Sequence, residues 1–181
     1  MNESFMNSEF IDTGKSVMEE MNTIPDPDYG KLQVKFKKLH KDATLPSYST
    51  DGSAGLDCTT VTDGVDKDTY IQYNLGFSVE IPEGYVGYLF PRSSISKMDL
   101  ALSNAVGVID HDFRGEVQAR FYSKHYSGNY NGMIPRYHGK YHKGDTLCQL
   151  IIMPVPKIKP IWVDELSDTE RGGGGFGSTG N

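Results

Sequence analysis

Cysteine and long apolar runs are scarce in this chain, and each scarcity excludes a class of protein. The 181 residues include two cysteines, Cys58 and Cys148, which is too few for a disulfide framework and is typical of a reducing compartment. No apolar stretch approaches the length of a membrane span, and residues 1–30 lack the basic start and apolar core of a signal peptide. We therefore expect a soluble cytoplasmic protein, or an intracellular one in an infected host, that binds no membrane. Both cysteines have apolar neighbours, which favours buried thiols over catalytic ones.

Positive charge is not in excess either, which argues against a nucleic-acid partner. The formal net charge is −6, and residues 1–30 hold seven acidic side chains against one lysine, Lys15. Residues 31–181 carry 17 acidic and 17 basic side chains and are therefore balanced. This pattern predicts a charge-balanced body behind an acidic leader, residues 1–30, that is disordered and has no role in catalysis.

Short apolar or alternating runs follow the leader at close spacing, and Gly, Pro, Asp and Asn separate them. Such punctuated runs predict an all-β sandwich or barrel over residues 31–170. The runs lie at residues 32–36, 70–75, 76–81, 86–90, 105–109, 116–121 and 147–153. One short helix is predicted over Ser94–Leu102, because a serine can cap it and Ile95, Met98 and Leu102 have helical spacing.

Tyrosine, histidine and glycine are concentrated in residues 122–143. This segment contains five of the 11 tyrosines and three of the five histidines. A metal site at His125, His138 and His142 is one interpretation, but these histidines lack a tight ligand spacing. The composition favours a solvated hairpin extension of the β domain.

Five polar islands contain the groups that a nucleotide site needs. In Pro91–Ser94, a guanidinium and two hydroxyls stand where the predicted helix begins, which favours anion binding. Asp110 and Asp112 are two residues apart and would share a side if the preceding strand continued through them. The glycine-rich tail, residues 171–181, is too costly to order by itself and is predicted to close over a bound ligand. The islands are Ala54–Asp57, Pro91–Ser94, Asn104–Gly115, Lys143–Leu150 and Arg171–Asn181.

In this order, the islands resemble the five motifs of the trimeric dUTP diphosphatase (dUTPase) family. The resemblance extends from Ala54 to Gly180 and leaves out the leader and the 122–143 segment. It implies a jelly-roll-like protomer and a homotrimer, in which each of three active sites borrows motifs from all three chains. It also implies Mg²⁺-dependent hydrolysis of dUTP to dUMP and pyrophosphate.

The resemblance further implies a role for each matching residue. Asp110 would be the general base for the water that attacks the α-phosphorus, with Asn104 beside that water. Asp57 would reach Mg²⁺ through a coordinated water. The phosphates would be bound by Arg92, Ser93, Ser94, Gln149 and Arg171. The nucleoside would be bound by Gly107, Val108, Ile109 and Asp110 at the uracil edge, by Phe113 under deoxyribose, and by the tail residues Phe176, Gly177, Ser178 and Thr179, with Phe176 stacked on uracil.

Three residues depart from the family pattern, and two other functions stay open. Phe113 stands where tyrosine is usual, Ser94 where glycine is frequent, and His111 where serine is frequent. A dCTP deaminase-like or bifunctional enzyme is one alternative, and Glu116 lies close to the turn where such an enzyme needs a glutamate. The other is an additional role as a nucleotide-gated module, in which residues 1–30 or 122–143 bind another protein.

Overall fold

The computed structural model describes residues 30–124 and 140–175, and the chain divides into the units Met1–Val34 and Lys35–Asn181. The described part of the first unit, residues 30–34, contains no helix or strand. In the described part of the second unit, the elements are eleven strands and one short 3-10 helix. Within the described ranges, no helix is long and apolar enough to cross a membrane.

The strands form three antiparallel sheets. A pair joins β1 to β6, a four-stranded sheet has the order β4-β5-β10-β8, and a five-stranded sheet has the order β2-β3-β11-β7-β9. The strands are β1 Lys35–Lys38, β2 Ser47–Tyr48, β3 Leu56–Thr59, β4 Val65–Asp66, β5 Ile71–Asn74, β6 Phe77–Glu80, β7 Tyr85–Pro91, β8 Leu100–Leu102, β9 Gly107–Ile109, β10 Gln118–Ser123 and β11 Thr146–Pro154.

Side-chain alternation explains how these strands bury a core. In β10, Ala119, Phe121 and Ser123 are buried while the residues between them are partly or fully exposed. This period of two places one face of the strand on the core and the other in solvent. Phe121 meets Tyr73 of β5 edge to face, with ring centroids 5.8 Å apart. The largest fully buried side chains come from both large sheets and from β6, and include Tyr73, Phe121, Ile71, Leu100, Leu147, Leu150 and Val79.

The predicted all-β, jelly-roll-like class is confirmed, and each of the seven predicted runs contains or overlaps a strand. The strands β2, β3, β4 and β8 were not predicted as strands. Two of them, β2 and β4, are only two residues long and too short to show a period.

The predicted helix over Ser94–Leu102 is wrong in its extent and in its cap. A 3-10 helix covers only Ser93–Lys97, and Arg92 occupies the cap position with no side-chain hydrogen bond. The chain then becomes extended at Met98, and Leu100–Leu102 forms β8 against β10. Leu100 and Leu102 are both buried, so strand pairing and burial override the helical spacing of the apolar residues.

Candidate active site

Three predicted residues meet where β3, β11 and β7 lie side by side. In the sheet register, Gln149 of β11 pairs with Asp57 of β3 on one side and with Phe90 of β7 on the other. Arg92 follows the end of β7, and its Nε lies 3.2 Å from Asp57 Oδ1. The Gln149 amide donates to the carbonyl oxygen of Pro91 at 3.5 Å. We call Asp57, Arg92 and Gln149 the ionic cluster.

The ionic cluster is only partly covered, so its charges stay available to a ligand. The side chains of Arg92 and Asp57 are 37% and 23% exposed. An ion pair of this exposure contributes little to stability, and each partner can exchange it for a group of opposite charge. Ser93 and Ser94 directly follow Arg92 in the sequence, and both are exposed. Two hydroxyls are therefore sequence neighbours of the guanidinium.

A glycine makes room for the amide of this cluster. A Cβ at Gly55 would lie 2.9 Å from Gln149 Oε1 and 3.0 Å from its Cβ. The first island therefore contributes Asp57 and also the space in which Gln149 can lie.

A second group of predicted residues lines a cavity of about 440 Å³. The predicted residues among its lining are Asn104, Gly107, Val108, Ile109, Asp110 and Phe113. Prediction missed Leu89, Leu102, Ser103, Val117, Gln118 and Arg120, which complete the wall together with Glu116. We call this space the hairpin cavity. Its size suits a nucleoside.

The turn that leads into β9 is tightly constrained. Ala105 has φ 58°, a left-handed conformation that is unusual for a residue with a Cβ. Gly107 lies against β7, where a Cβ would be 3.0 Å from Leu89 Cβ. These constraints fix the backbone between Asn104 and Ile109 along the cavity wall.

Asp110 and Asp112 do not share a side, because the strand does not continue through them. Strand β9 ends at Ile109, and the Phe113 amide donates to the Asp110 carbonyl at 3.1 Å to close a turn. Asp110 is exposed and lines the hairpin cavity, whereas Asp112 does not line it. A single aspartate therefore serves the cavity.

The two groups of predicted residues lie at opposite ends of β7. Gly87, near the start of this strand, pairs with Ile109, which directly precedes Asp110. Arg92 is five residues further along, and extended backbone rises about 3.3 Å per residue, so roughly 17 Å separate the two ends. Within one chain, Asp110 and Arg92 therefore lie far apart along the sheet.

Glu116 lines the hairpin cavity but its carboxylate is already bonded. One oxygen accepts from Asn74 Nδ2 at 3.0 Å and the other accepts from the Gly76 amide at 3.1 Å. Both oxygens hold the turn between β5 and β6. This bonding disfavours Glu116 as the acid–base group of a deaminase.

The two cysteines are buried free thiols, as predicted, and form a cross-strand pair between β3 and β11. Burial raises the pKa of Cys58 to about 12 and the pKa of Cys148 well above its ordinary value. A thiol that stays protonated is a poor nucleophile, so neither has a place in the chemistry.

Tyr141 connects the end of the 122–143 segment to the core, a role that prediction missed. It is 5% exposed, its amide donates to Tyr73 Oη at 3.2 Å, and its ring packs on Tyr73 and Phe121. Burial raises the pKa of its phenol. Its aromatic neighbours in the sequence gave no signal to distinguish it from the other tyrosines of the segment.

The remaining predicted residues belong neither to the ionic cluster nor to the lining of the hairpin cavity, or they lie outside the described ranges. Arg171 is exposed and its Nε donates to the Gly174 carbonyl at 2.9 Å. His142 is exposed, and no group of three potential metal ligands occurs among residues 30–124 and 140–175. The predictions for residues 1–29, His125, His138, Phe176, Gly177, Ser178 and Thr179 fall outside those ranges.

Comparison with known proteins identifies the family. The profile of the dUTPase family matches residues 41–180. A deoxyuridine 5'-triphosphate nucleotidohydrolase of Hydrogenobaculum sp. (strain Y04AAS1) is 36% identical over 152 residues, which cover 82% of this chain and 99% of the relative. Another from Thermobifida fusca (strain YX) is 32% identical over 169 residues, covering 92% of this chain and 87% of the relative.

Solved structures agree with the sequence comparison. A mutant of the Staphylococcus bacteriophage 80alpha dUTPase with dUpNHpp has a TM-score of 0.69 and 26% identity, and the match covers 82% of this chain and 99% of that one. The family profile and the curated relatives identify an enzyme of nucleotide metabolism. The chain belongs to the dUTPase family.

Proposed function

We propose that this chain hydrolyses dUTP to dUMP and pyrophosphate with Mg²⁺, in a homotrimer whose active sites combine residues of all three chains. The observation that carries this proposal is the hairpin cavity, which Asn104, Asp110 and Phe113 line together. It offers a carboxylate, an amide and an aromatic ring in a space that suits a nucleoside. Membership of the dUTPase family indicates that the nucleoside triphosphate bound there is dUTP.

Asp110 is the general base of the proposed mechanism. Its carboxylate takes a proton from a water molecule as the water oxygen attacks the α-phosphorus, and the bond from that phosphorus to the bridging oxygen breaks. Pyrophosphate leaves and dUMP remains. Asn104 supports this step by holding the water beside the carboxylate. The exposed position of Asp110 after the end of β9 gives water access to it.

The proposed selectivity comes from the hairpin. Backbone groups of Gly107, Val108, Ile109 and Asp110 read the uracil edge. Cytosine presents a donor where uracil presents an acceptor, so bound cytosine leaves buried groups unpaired and is rejected. Phe113 packs beneath deoxyribose, where its ring leaves no room for a 2′-hydroxyl.

The ionic cluster is the proposed triphosphate half-site. Arg92, Ser93, Ser94 and Gln149 bind phosphate oxygens, and Asp57 is the residue that would hold Mg²⁺, through a coordinated water. The donor set fits this ion, because a single carboxylate suits a hard cation that keeps waters and takes its other oxygens from a triphosphate. When bound, Mg²⁺ would neutralise phosphate charge and favour the departure of pyrophosphate.

The separation of the half-sites supports a site shared between chains. In the proposed trimer, Asp110 of one chain acts with the ionic cluster of another, because roughly 17 Å of strand separate Asp110 from Arg92 of its own chain. The segment after β11 supports the involvement of a further chain. Its apolar side chains are exposed, with Trp162 at 102% and Leu166 at 86%, as expected of an arm that packs on another protomer.

The tail is the proposed lid over this shared site. Arg171 binds the γ-phosphate, and Phe176 stacks on uracil. Gly177, Ser178 and Thr179 complete the closure. Ordering a glycine-rich segment costs on the order of 1 kcal/mol per residue, so closure needs the contacts that substrate provides.

A product assay tests the proposed reaction. The full chain is incubated with dUTP or with dCTP, with Mg²⁺ or with EDTA, and pyrophosphate and ammonia are measured. We expect pyrophosphate from dUTP with Mg²⁺, little with EDTA, and no ammonia from either nucleotide. Ammonia from dCTP would establish the deaminase alternative, and absence of pyrophosphate from dUTP would overturn the proposed function.

A further inference from the structure

The turn after Asp110 is held by an arginine that does not line the hairpin cavity. Arg114 Nη1 donates to the His111 carbonyl at 2.6 Å and to the Phe113 carbonyl at 2.9 Å. The Phe113 amide donates to the Asp110 carbonyl at 3.1 Å across the same turn. Three hydrogen bonds therefore lie within a segment of five residues.

The ring of Phe113 has little else to fix it. Phe113 is 43% exposed, so packing restrains only part of its side chain. The ring lies over Gly115, where an added Cβ would be 2.6 Å from the ring Cζ. The position of the ring therefore depends on the turn backbone from Asp110 to Gly115.

A guanidinium suits this task better than an ammonium does. One planar nitrogen with two N–H groups can donate to two carbonyls in a fixed geometry, and charge-assisted bonds are stronger than neutral ones. A nearby carboxylate does not divert it, because Glu80 is bonded to Lys35 at 2.8 Å. Arg114 is thus free to bind the two carbonyls.

We infer that Arg114 is a positioning residue that clamps the Asp110–Phe113 turn and thereby sets the selectivity of the enzyme for deoxyribose over ribose. The inference rests on the proposed function, in which Phe113 lies beneath the sugar. A loosened turn lets the ring move and admits a 2′-hydroxyl. Arg114 acts through Phe113 and does not touch substrate.

Two substitutions separate the clamp from the charge. Arg114→Gln removes the charge and shortens the side chain by two atoms, so that its amide no longer reaches both carbonyls, and Arg114→Lys keeps the charge on a compact ammonium without the planar pair of donors. We expect the ratio of kcat/KM for dUTP over UTP, measured by pyrophosphate release, to fall about tenfold in Arg114→Gln, since a charge-assisted bond contributes roughly that factor. The same ratio for Arg114→Lys should lie between those of the wild type and of Arg114→Gln.

Lys37→Gln is the matched control, because Lys37 is exposed and lines the same surface groove as Arg114. It removes one positive charge and leaves the turn untouched, so its ratio should equal that of the wild type. Equal losses of kcat/KM for dUTP and for UTP in Arg114→Gln would overturn the inference. An Arg114→Lys variant with wild-type selectivity would overturn it too.

Amide exchange gives a readout that does not depend on turnover. The Phe113 amide is hydrogen-bonded across the turn, so its exchange should be about tenfold faster in Arg114→Gln and unchanged in Lys37→Gln. Unchanged exchange in Arg114→Gln would overturn the clamp. A wild-type chain that releases no pyrophosphate from dUTP would instead overturn the proposed function, and the exchange result would still decide the clamp.

Discussion

Three glycines leave room for side chains of the candidate site. Gly55 leaves space for Gln149, Gly107 lets β9 approach Leu89, and Gly115 lies beneath Phe113. At each of these positions a Cβ would come within 3.0 Å of a neighbouring atom. None of the three has a positive φ, so close approach of backbone to side chain explains glycine at these positions.

Asp110→Asn tests the proposed base directly. The substitution keeps the size of the side chain and removes its ability to accept a proton. Turnover of dUTP should fall by about a thousandfold or more, while affinity for a non-hydrolysable dUTP analogue stays within about tenfold of wild type. Turnover is measured by pyrophosphate release, and affinity is measured by calorimetry. Near-normal turnover would remove Asp110 from the mechanism.

The thiol pair predicts an alkaline dependence of stability. The Cys58 pKa is raised from 9.0 to about 12 because the thiol is buried. Its contribution to stability is therefore fully present below pH 9.0 and is lost as the pH rises toward 12.

Burial of the two thiols also predicts their reactivity. At about pH 8, an aromatic disulfide reagent should label two thiols in the unfolded chain and neither in the native one. Rapid labelling of the native chain would contradict the assigned burial.

Among the strands and turns, the β5–β6 connection is tightly packed. Gly76 has φ +73°, and a Cβ there would lie 2.8 Å from Val61 Cγ1 and 2.9 Å from Ala43 Cβ. Its amide also donates to Glu116, which links this turn to the wall of the hairpin cavity. Folding of the turn and shaping of the cavity are therefore coupled.

A pair of glycine substitutions measures the cost of overpacking at this turn. Gly84 has φ +83° with no atom within 4 Å of an added Cβ, so Gly84→Ala should cost about 1 kcal/mol of unfolding free energy from backbone strain alone. Gly76→Ala adds overpacking and should cost about 1–3 kcal/mol more. Urea denaturation of both variants gives the comparison, and equal costs would contradict the packing described at Gly76.

Strand content could be predicted because apolar runs between turn residues are a local signal. The central strand β11, Thr146–Pro154, is nearly continuous in apolar residues and was placed within one residue at each end. The helix was wrong because the spacing of Ile95, Met98 and Leu102 is local, whereas the pairing of β8 with β10 is not. Short strands such as β4 have no period to detect.

The site could be predicted in its residue types but not in its arrangement. The family resemblance named Asp57, Arg92 and Gln149, and the register of three strands brings them together. No sequence pattern shows that Asp110 lies at the far end of β7 from Arg92, because that follows from the pairing of β7 with β9. Arg114 was missed because its role lies in hydrogen bonds to backbone carbonyls.

For the whole chain, the proposed active sites form only between protomers. One chain holds its hairpin cavity and its ionic cluster at opposite ends of β7, and its exposed arm leads to the tail. Truncation after Glu170 should therefore reduce turnover far more than it reduces the free energy of unfolding. Two inactive variants, Asp110→Asn and the truncated chain, then carry lesions in different parts of a shared site.

Mixing these two variants is the most direct test of an active site that is shared between chains. They are unfolded together in equal amounts, refolded, and assayed for pyrophosphate release from dUTP with Mg²⁺. If Asp110 and the tail of each site come from different chains, about a quarter of the sites in random trimers contain both an intact Asp110 and an intact tail. Activity should then return to about that fraction of wild type. A refolded mixture no more active than its two parents would contradict the shared site.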